Sequence, residues 1–168
     1  MNTTTLTLEE IRKKLRSIEK KIINMLQYRN DTNPIKKEIL TLKSNISKHY
    51  LQEIIEIYTN KCVTQLYEKD KEILSLILQR ISYGNDIGMI KYKELKSDNI
   101  SSLTENEIVK YITHPEVEKK IIQDIVIKHD ISDIIKLKMC VIMSYVLIPL
   151  TKKVEVDIIK KYINLNKT

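Results

Sequence analysis

The chain has 168 residues, with two glycines, three prolines, two cysteines and neither tryptophan nor phenylalanine. So little glycine excludes the glycine-rich loops that cradle phosphates, and neither a GxSxG nor an HExxH pattern occurs. Nucleotide, serine-nucleophile and zinc-protease chemistry therefore have no foothold. Cys62 and Cys140 stand far apart, with no CxxC and no Cys/His spacing. That argues against a zinc site and for two buried free thiols in a reducing compartment. The first residues, MNTTTLTLEE, are polar and then acidic, unlike a signal peptide. The longest apolar run, Cys140 to Leu150, is shorter than the roughly 20 residues needed to span a bilayer, and reads as a buried helix end. The expectation is a soluble, cytoplasmic protein with no membrane partner.

The formal net charge is +7. Its charges are dispersed among Asp and Glu, and no basic block carries interleaved aromatics. Solvated helix faces account for such a pattern, and no nucleic-acid partner is expected. Nine tyrosines hold all the aromatic content.

What is present favours helices: Ile, Leu, Lys and Glu dominate. Thr7-Leu-Glu-Glu10 has the form of a capping box. Leu8, Ile11, Leu15, Ile18, Ile22 and Leu26 then recur at three-four spacing, which predicts one buried helical stripe to about Tyr28. Asn30 to Pro34 reads as a turn that opens a short helix to about Lys43. A polar connection over Ser44 to His49 leads to a helix from Tyr50 to about Tyr67. Asp70 to about Lys96 reads as one helix, and Ser97 to Ser102 as a loop. Thr104-Glu-Asn-Glu107 is a second capping box, for a helix ending near Thr113. Pro115 opens the next helix, with His114 at its cap, and Ser132 and Asp133 open another that Pro149 kinks or restarts, ending near Tyr162. No strand is expected. The predicted architecture over residues 1–168 is all-α, a single-domain helical bundle.

Both glycines lie in QRISYGNDIGMIKYK, residues 79–93. Eleven helical residues at about 100° each leave about 20° of offset, so Arg80 and Lys91 share a face with Gly84 and Gly88. The two cations, roughly 16 Å apart along the axis, frame a strip without side chains. Either they close on a small anionic ligand, or the glycines admit a neighbouring helix and the cations are surface charges. Thr151 and Glu155 are neighbours at i, i+4, and burial between Val154 and Val156 would raise the Glu155 pKa. His114 and Glu118 are paired at the same spacing at a helix start. Arg12 lies one position off the first apolar stripe, either skirting the bundle interior or exposed.

In order and spacing, these segments resemble the all-helical chorismate mutases, in their eukaryotic, yeast-like form. Leu8 to Ile23 is similar to the family's opening helix, with its arginine at Arg12. Leu78-Gln-Arg-Ile-Ser-Tyr-Gly84 through Lys91 is similar to the family's Arg-Ile-His-Phe-Gly segment, with a lysine eleven residues on. Ile148-Pro-Leu-Thr-Lys-Lys-Val-Glu-Val156 is close to the family's Ile-Pro-Ile-Thr-Lys-Glu-Val-Glu-Val. Ile112 to Ile121 is a looser fourth match, and together they cover about half the chain.

The resemblance implies rearrangement of chorismate to prephenate, in phenylalanine and tyrosine biosynthesis, with no cofactor and no metal. It implies that Arg12 and Arg80 pair with the substrate carboxylates. Lys91 would serve a carboxylate and the ether oxygen, and a protonated Glu155 would donate to that oxygen. Thr151 would bind a carboxylate and Glu118 would accept from the substrate hydroxyl. Gly84 and Gly88 would form the pocket floor, so that Gly88→Leu would abolish activity while sparing helicity. Family members are commonly dimeric, so a homodimer is one expectation. Two departures stand out. His114 replaces the family's Asn. The stretch from Asp31 to Lys69 is compressed, without the Gly-Ser loop of regulated members, which implies loss of tyrosine/tryptophan allosteric control. The competing reading is an inactive mutase-like helical module, or a basic adaptor for an anionic partner.

Overall fold

The computed structural model describes residues 6–27, 34–35, 66–95 and 102–165. These residues form an all-α fold. Helix α1 spans Leu8–Gln27, α2 Glu68–Ser82, α3 Gly84–Glu94, α4 Glu105–Ile112, α5 Pro115–Lys128, α6 Asp133–Ile142 and α7 Ile148–Leu165, with a π-helical turn Met143–Leu147 joining the last two. The expected helix to Lys43, the connection to His49, most of the helix after Tyr50, most of the loop after Ser97, and Cys62 lie outside the described residues.

Local chemistry sets most boundaries. At the head of α1 the Glu10 amide donates to Thr7 Oγ1 at 3.2 Å, and the Thr7 amide donates to the Glu10 carboxylate at 2.7 Å. Thr104 and Glu107 repeat this box on α4. Each satisfies amides that a helix start leaves without partners. Pro115 takes the first position of α5, where no amide is needed, with His114 as its cap. The Ser132 side chain accepts from the Ile135 amide to start α6.

Three findings depart from the sequence expectations. Pro34–Ile35 and Leu66–Tyr67 form a two-residue antiparallel pair, in register Pro34↔Tyr67, rather than a helix start and a helix end. Proline is tolerated at the first residue of so short a strand because it need not donate there. The expected helix from Asp70 is divided at Tyr83, whose ψ of −15° flattens the turn. That hitch lets α2 pack along α1 while α3 packs on α7. Third, Pro149 neither kinks nor restarts its helix by itself. The chain widens just before it, and the Ile148 amide donates to the Met143 carbonyl five residues back. A proline ring crowds the carbonyl four residues earlier, and the wider π turn relieves that contact. Asp133–Leu165 is thus one continuous helix, long and apolar enough by length and composition to cross a membrane, with 33% of its apolar window buried inside the domain. The apolar run from Cys140 to Leu150 lies inside it, with Ile142, Met143 and Val146 to Ile148 buried as expected, but in mid-helix rather than at a helix end.

Among the described residues the core has three parts. Ile18, Ile22, Ile23 and Leu26 of α1 meet Ile73, Leu74, Ile77 and Ile81 of α2, with Met139, Ile142 and Leu147 closing the group. Tyr92, Ile108, Ile112, Val156, Ile159 and Ile163 join α3, α4 and α7. Ile11, Leu15 and Ile87 join α1 to α3. Each fully buried aliphatic side chain contributes about 1.5–3 kcal/mol. Four buried polar residues, Glu19, Arg80, Thr151 and Glu155, fall in sequence between members of these groups.

The glycines belong to the α3–α7 contact. A Cβ at Gly84 would stand 2.8 Å from the Thr151 carbonyl oxygen, and one at Gly88 3.0 Å from that of Glu155. Backbone cannot yield as a flexible side chain can, so both positions require glycine for close approach of two helices. The expected pocket floor is therefore corrected: both glycines face a neighbouring helix. Gly84→Ala gains about 1 kcal/mol of helix propensity but overpacks the contact by about 1–3 kcal/mol. Net destabilisation is expected in a urea melt. An unchanged or higher midpoint would contradict the close packing.

Candidate active site

Beside this contact, α1, α2, α3, α4, α5 and α7 enclose a cavity of about 280 Å³. Arg80, Thr151, Glu155, Ile112 and Ile148 form its buried inner wall, and Leu15 and Ile87 supply apolar surface. Arg12, Glu94, Tyr111, His114 and Val117 are exposed and mark its mouth. Seven of the nine residues singled out from the sequence therefore come together: Arg12, Arg80, Lys91, His114, Glu118, Thr151 and Glu155. Gly84 and Gly88 do not line it.

Arg80 is held from two sides. Its Nε donates to Glu19 Oε1 at 3.0 Å and its Nη1 to Thr151 Oγ1 at 3.0 Å. Thr151 in turn donates to the Leu147 carbonyl at 2.6 Å. The Arg80 side chain is 4% exposed and that of Glu19 10%. A guanidinium offers five N–H donors, and these two contacts fix its plane while leaving donors for a carboxylate ligand. Burial raises the Glu19 pKa, and Arg80 opposes the shift without reversing it.

Lys91 and Glu155 form the second centre. Lys91 Nζ donates to Glu155 Oε2 at 2.8 Å and to the Ile112 carbonyl at 3.1 Å. Ile112 ends α4, where carbonyls lack helical partners and the dipole favours a cation. The Glu155 side chain is only 6% exposed. Burial raises its pKa, opposed in turn by Lys91, Arg80 and Lys152. The arrangement puts an ammonium and an easily protonated carboxyl side by side on one cavity wall.

At the mouth, Lys152 Nζ stands 2.6 Å from Glu118 Oε1. Arg12, exposed at the mouth rather than within the core, has no ion-pair partner among the described residues. Among these residues no cluster of His, Cys, Asp and Glu could hold a metal ion.

Two contributors escaped the sequence reading. Glu19 sits between Leu15 and Ile22 on the buried stripe of α1, and an acid on an apolar stripe is itself a signal. Lys152 falls four residues after Ile148 and three before Glu155, on the face that meets the cavity. No protein family, curated protein or solved structure matches the chain.

Proposed function

We propose that the chain is a chorismate mutase, converting chorismate to prephenate without a cofactor. One observation carries this reading. Arg12, Arg80, Lys91, Glu118, Thr151 and Glu155, the six polar residues matched by resemblance, converge on one small cavity although they span five helices and 143 positions, from 12 to 155.

The chemistry suits what these side chains offer. The rearrangement breaks one C–O bond as it forms one C–C bond within the same molecule, so no nucleophile or proton acceptor is needed. Catalysis then rests on holding a flexible dicarboxylate in its compact conformer and on stabilising charge at the ether oxygen. The Arg80 fork, fixed by Glu19 and Thr151, binds one carboxylate, and Arg12 closes on the other from the mouth. Lys91 and a protonated Glu155 donate to the ether oxygen. Glu118 accepts from the substrate hydroxyl. His114 supplies the start of α5, so its side chain need not reproduce the family's Asn.

Calorimetric titration with a bicyclic dicarboxylate analogue of the transition state tests the reading. One-to-one binding, weakened at least tenfold by Arg12→Met, is expected; Arg12 is exposed, so the variant retains its fold. No binding to the analogue, together with salt-dependent retention of nucleic acid, would replace this reading with the basic-adaptor one.

A further inference from the structure

Lys152 makes no substrate contact in the mechanism above, yet it lines the same cavity. It stands on α7, one residue past Thr151, and reaches across to Glu118 on α5. The two side chains are 25% and 27% exposed. Freely exposed lysine–glutamate pairs fix little, but this one is short and about three-quarters shielded.

The first turn of α5 has few other anchors. Pro115, Glu116 and Val117 are exposed, and the single buried residue of α5 is Ile125, seven positions beyond Glu118. Its apolar contacts begin one turn later, where Ile121 and Ile122 pack against the main core. Its start is held locally by the Val117 and Glu118 amides donating to the His114 carbonyl at 3.0 and 3.1 Å. Among the described residues, the Lys152 ammonium is thus a side-chain ion pair that ties this turn to the α7 wall of the cavity.

We infer that Lys152 is a positioning residue that fixes the first turn of α5, and with it Glu118, over the cavity. Lys152 occupies Oε1 of Glu118 and leaves Oε2 to accept from a ligand hydroxyl. The consequence for turnover rests on the mutase reading; the consequence for the first turn of α5 does not.

The test has two readouts on the full chain. Amide hydrogen exchange in the ligand-free protein should accelerate at least fivefold at Val117 and Glu118 in Lys152→Met, and return to the wild-type rate in Lys152→Arg. Unchanged exchange in Lys152→Met overturns the inference. In steady-state assays with chorismate, Lys152→Met should raise KM about tenfold with kcat within about twofold, and Lys152→Arg should restore KM. In a Glu118→Ala background, which removes the acceptor, the Lys152→Met effect should vanish. A full tenfold effect surviving in that background overturns the inference, because Lys152 would then act on the substrate directly. If the wild type converts no chorismate, the mutase reading fails alone and hydrogen exchange still decides the positioning role.

Discussion

Arg80→Met is expected to destabilise the fold by about 3–5 kcal/mol at neutral pH, the cost of leaving one partner of a buried ion pair uncompensated. The Glu19 carboxylate, 10% exposed, would lose its guanidinium, and Thr151 would lose a donor. Burial already raises the Glu19 pKa against the pull of Arg80. Without that pull Glu19 protonates more readily, so the loss of stability should shrink as the pH is lowered. Adding Glu19→Met should restore much of the stability, since apolar replacement of both partners removes the orphaned charge. On the proposed mutase reading it should not restore turnover, because the guanidinium proposed to bind a carboxylate is gone. Urea melts of the wild type, the single variant and the double variant separate these effects. An Arg80→Met protein as stable as the wild type, or a double variant no more stable than the single, would contradict the buried pair.

The second large effect concerns Lys91 and Glu155. Lys91→Met should lower kcat about a hundred- to a thousandfold, the usual loss for one preorganised donor at developing charge. Turnover by the wild type should fall as the pH rises through the raised pKa of Glu155, because its donor proton is lost. Glu155→Gln, a permanent donor, should keep its rate at neutral and alkaline pH. Stability follows the same sign. A carboxyl whose folded pKa lies above its unfolded value contributes most below the ordinary carboxylate range. That contribution is lost as the pH rises through the folded value. Glu155→Gln should therefore flatten the decline of stability with pH. A folded Gln variant inactive at every pH would sink the donor role of Glu155.

Much of this framework was legible in the chain. The stripe from Ile11 to Leu26, both capping boxes and Pro115 act within a turn or two, so local sequence specifies them. The six polar site residues could be picked out by resemblance, and geometry then brought them to one cavity. Most of the misreadings share a physical cause: they depend on a neighbour distant in sequence. Periodicity put Gly84 and Gly88 on the face of Arg80 and Lys91, but it carried no information on which helix that face meets. Glu19 finds Arg80 61 positions away. The pairing of Pro34–Ile35 with Leu66–Tyr67 is too short to leave an alternating pattern. At Pro149 the proline was visible, but not that the chain would absorb it by widening one turn.

The central claim is that this cavity rearranges chorismate with fixed charges alone. The most direct measurement is the loss of chorismate absorbance with purified protein in buffer containing a metal chelator and no cofactor. The account predicts turnover far above the uncatalysed rate, with prephenate as the product. Chorismate consumed no faster than in buffer, by protein whose helical content and melting transition are intact, would contradict it.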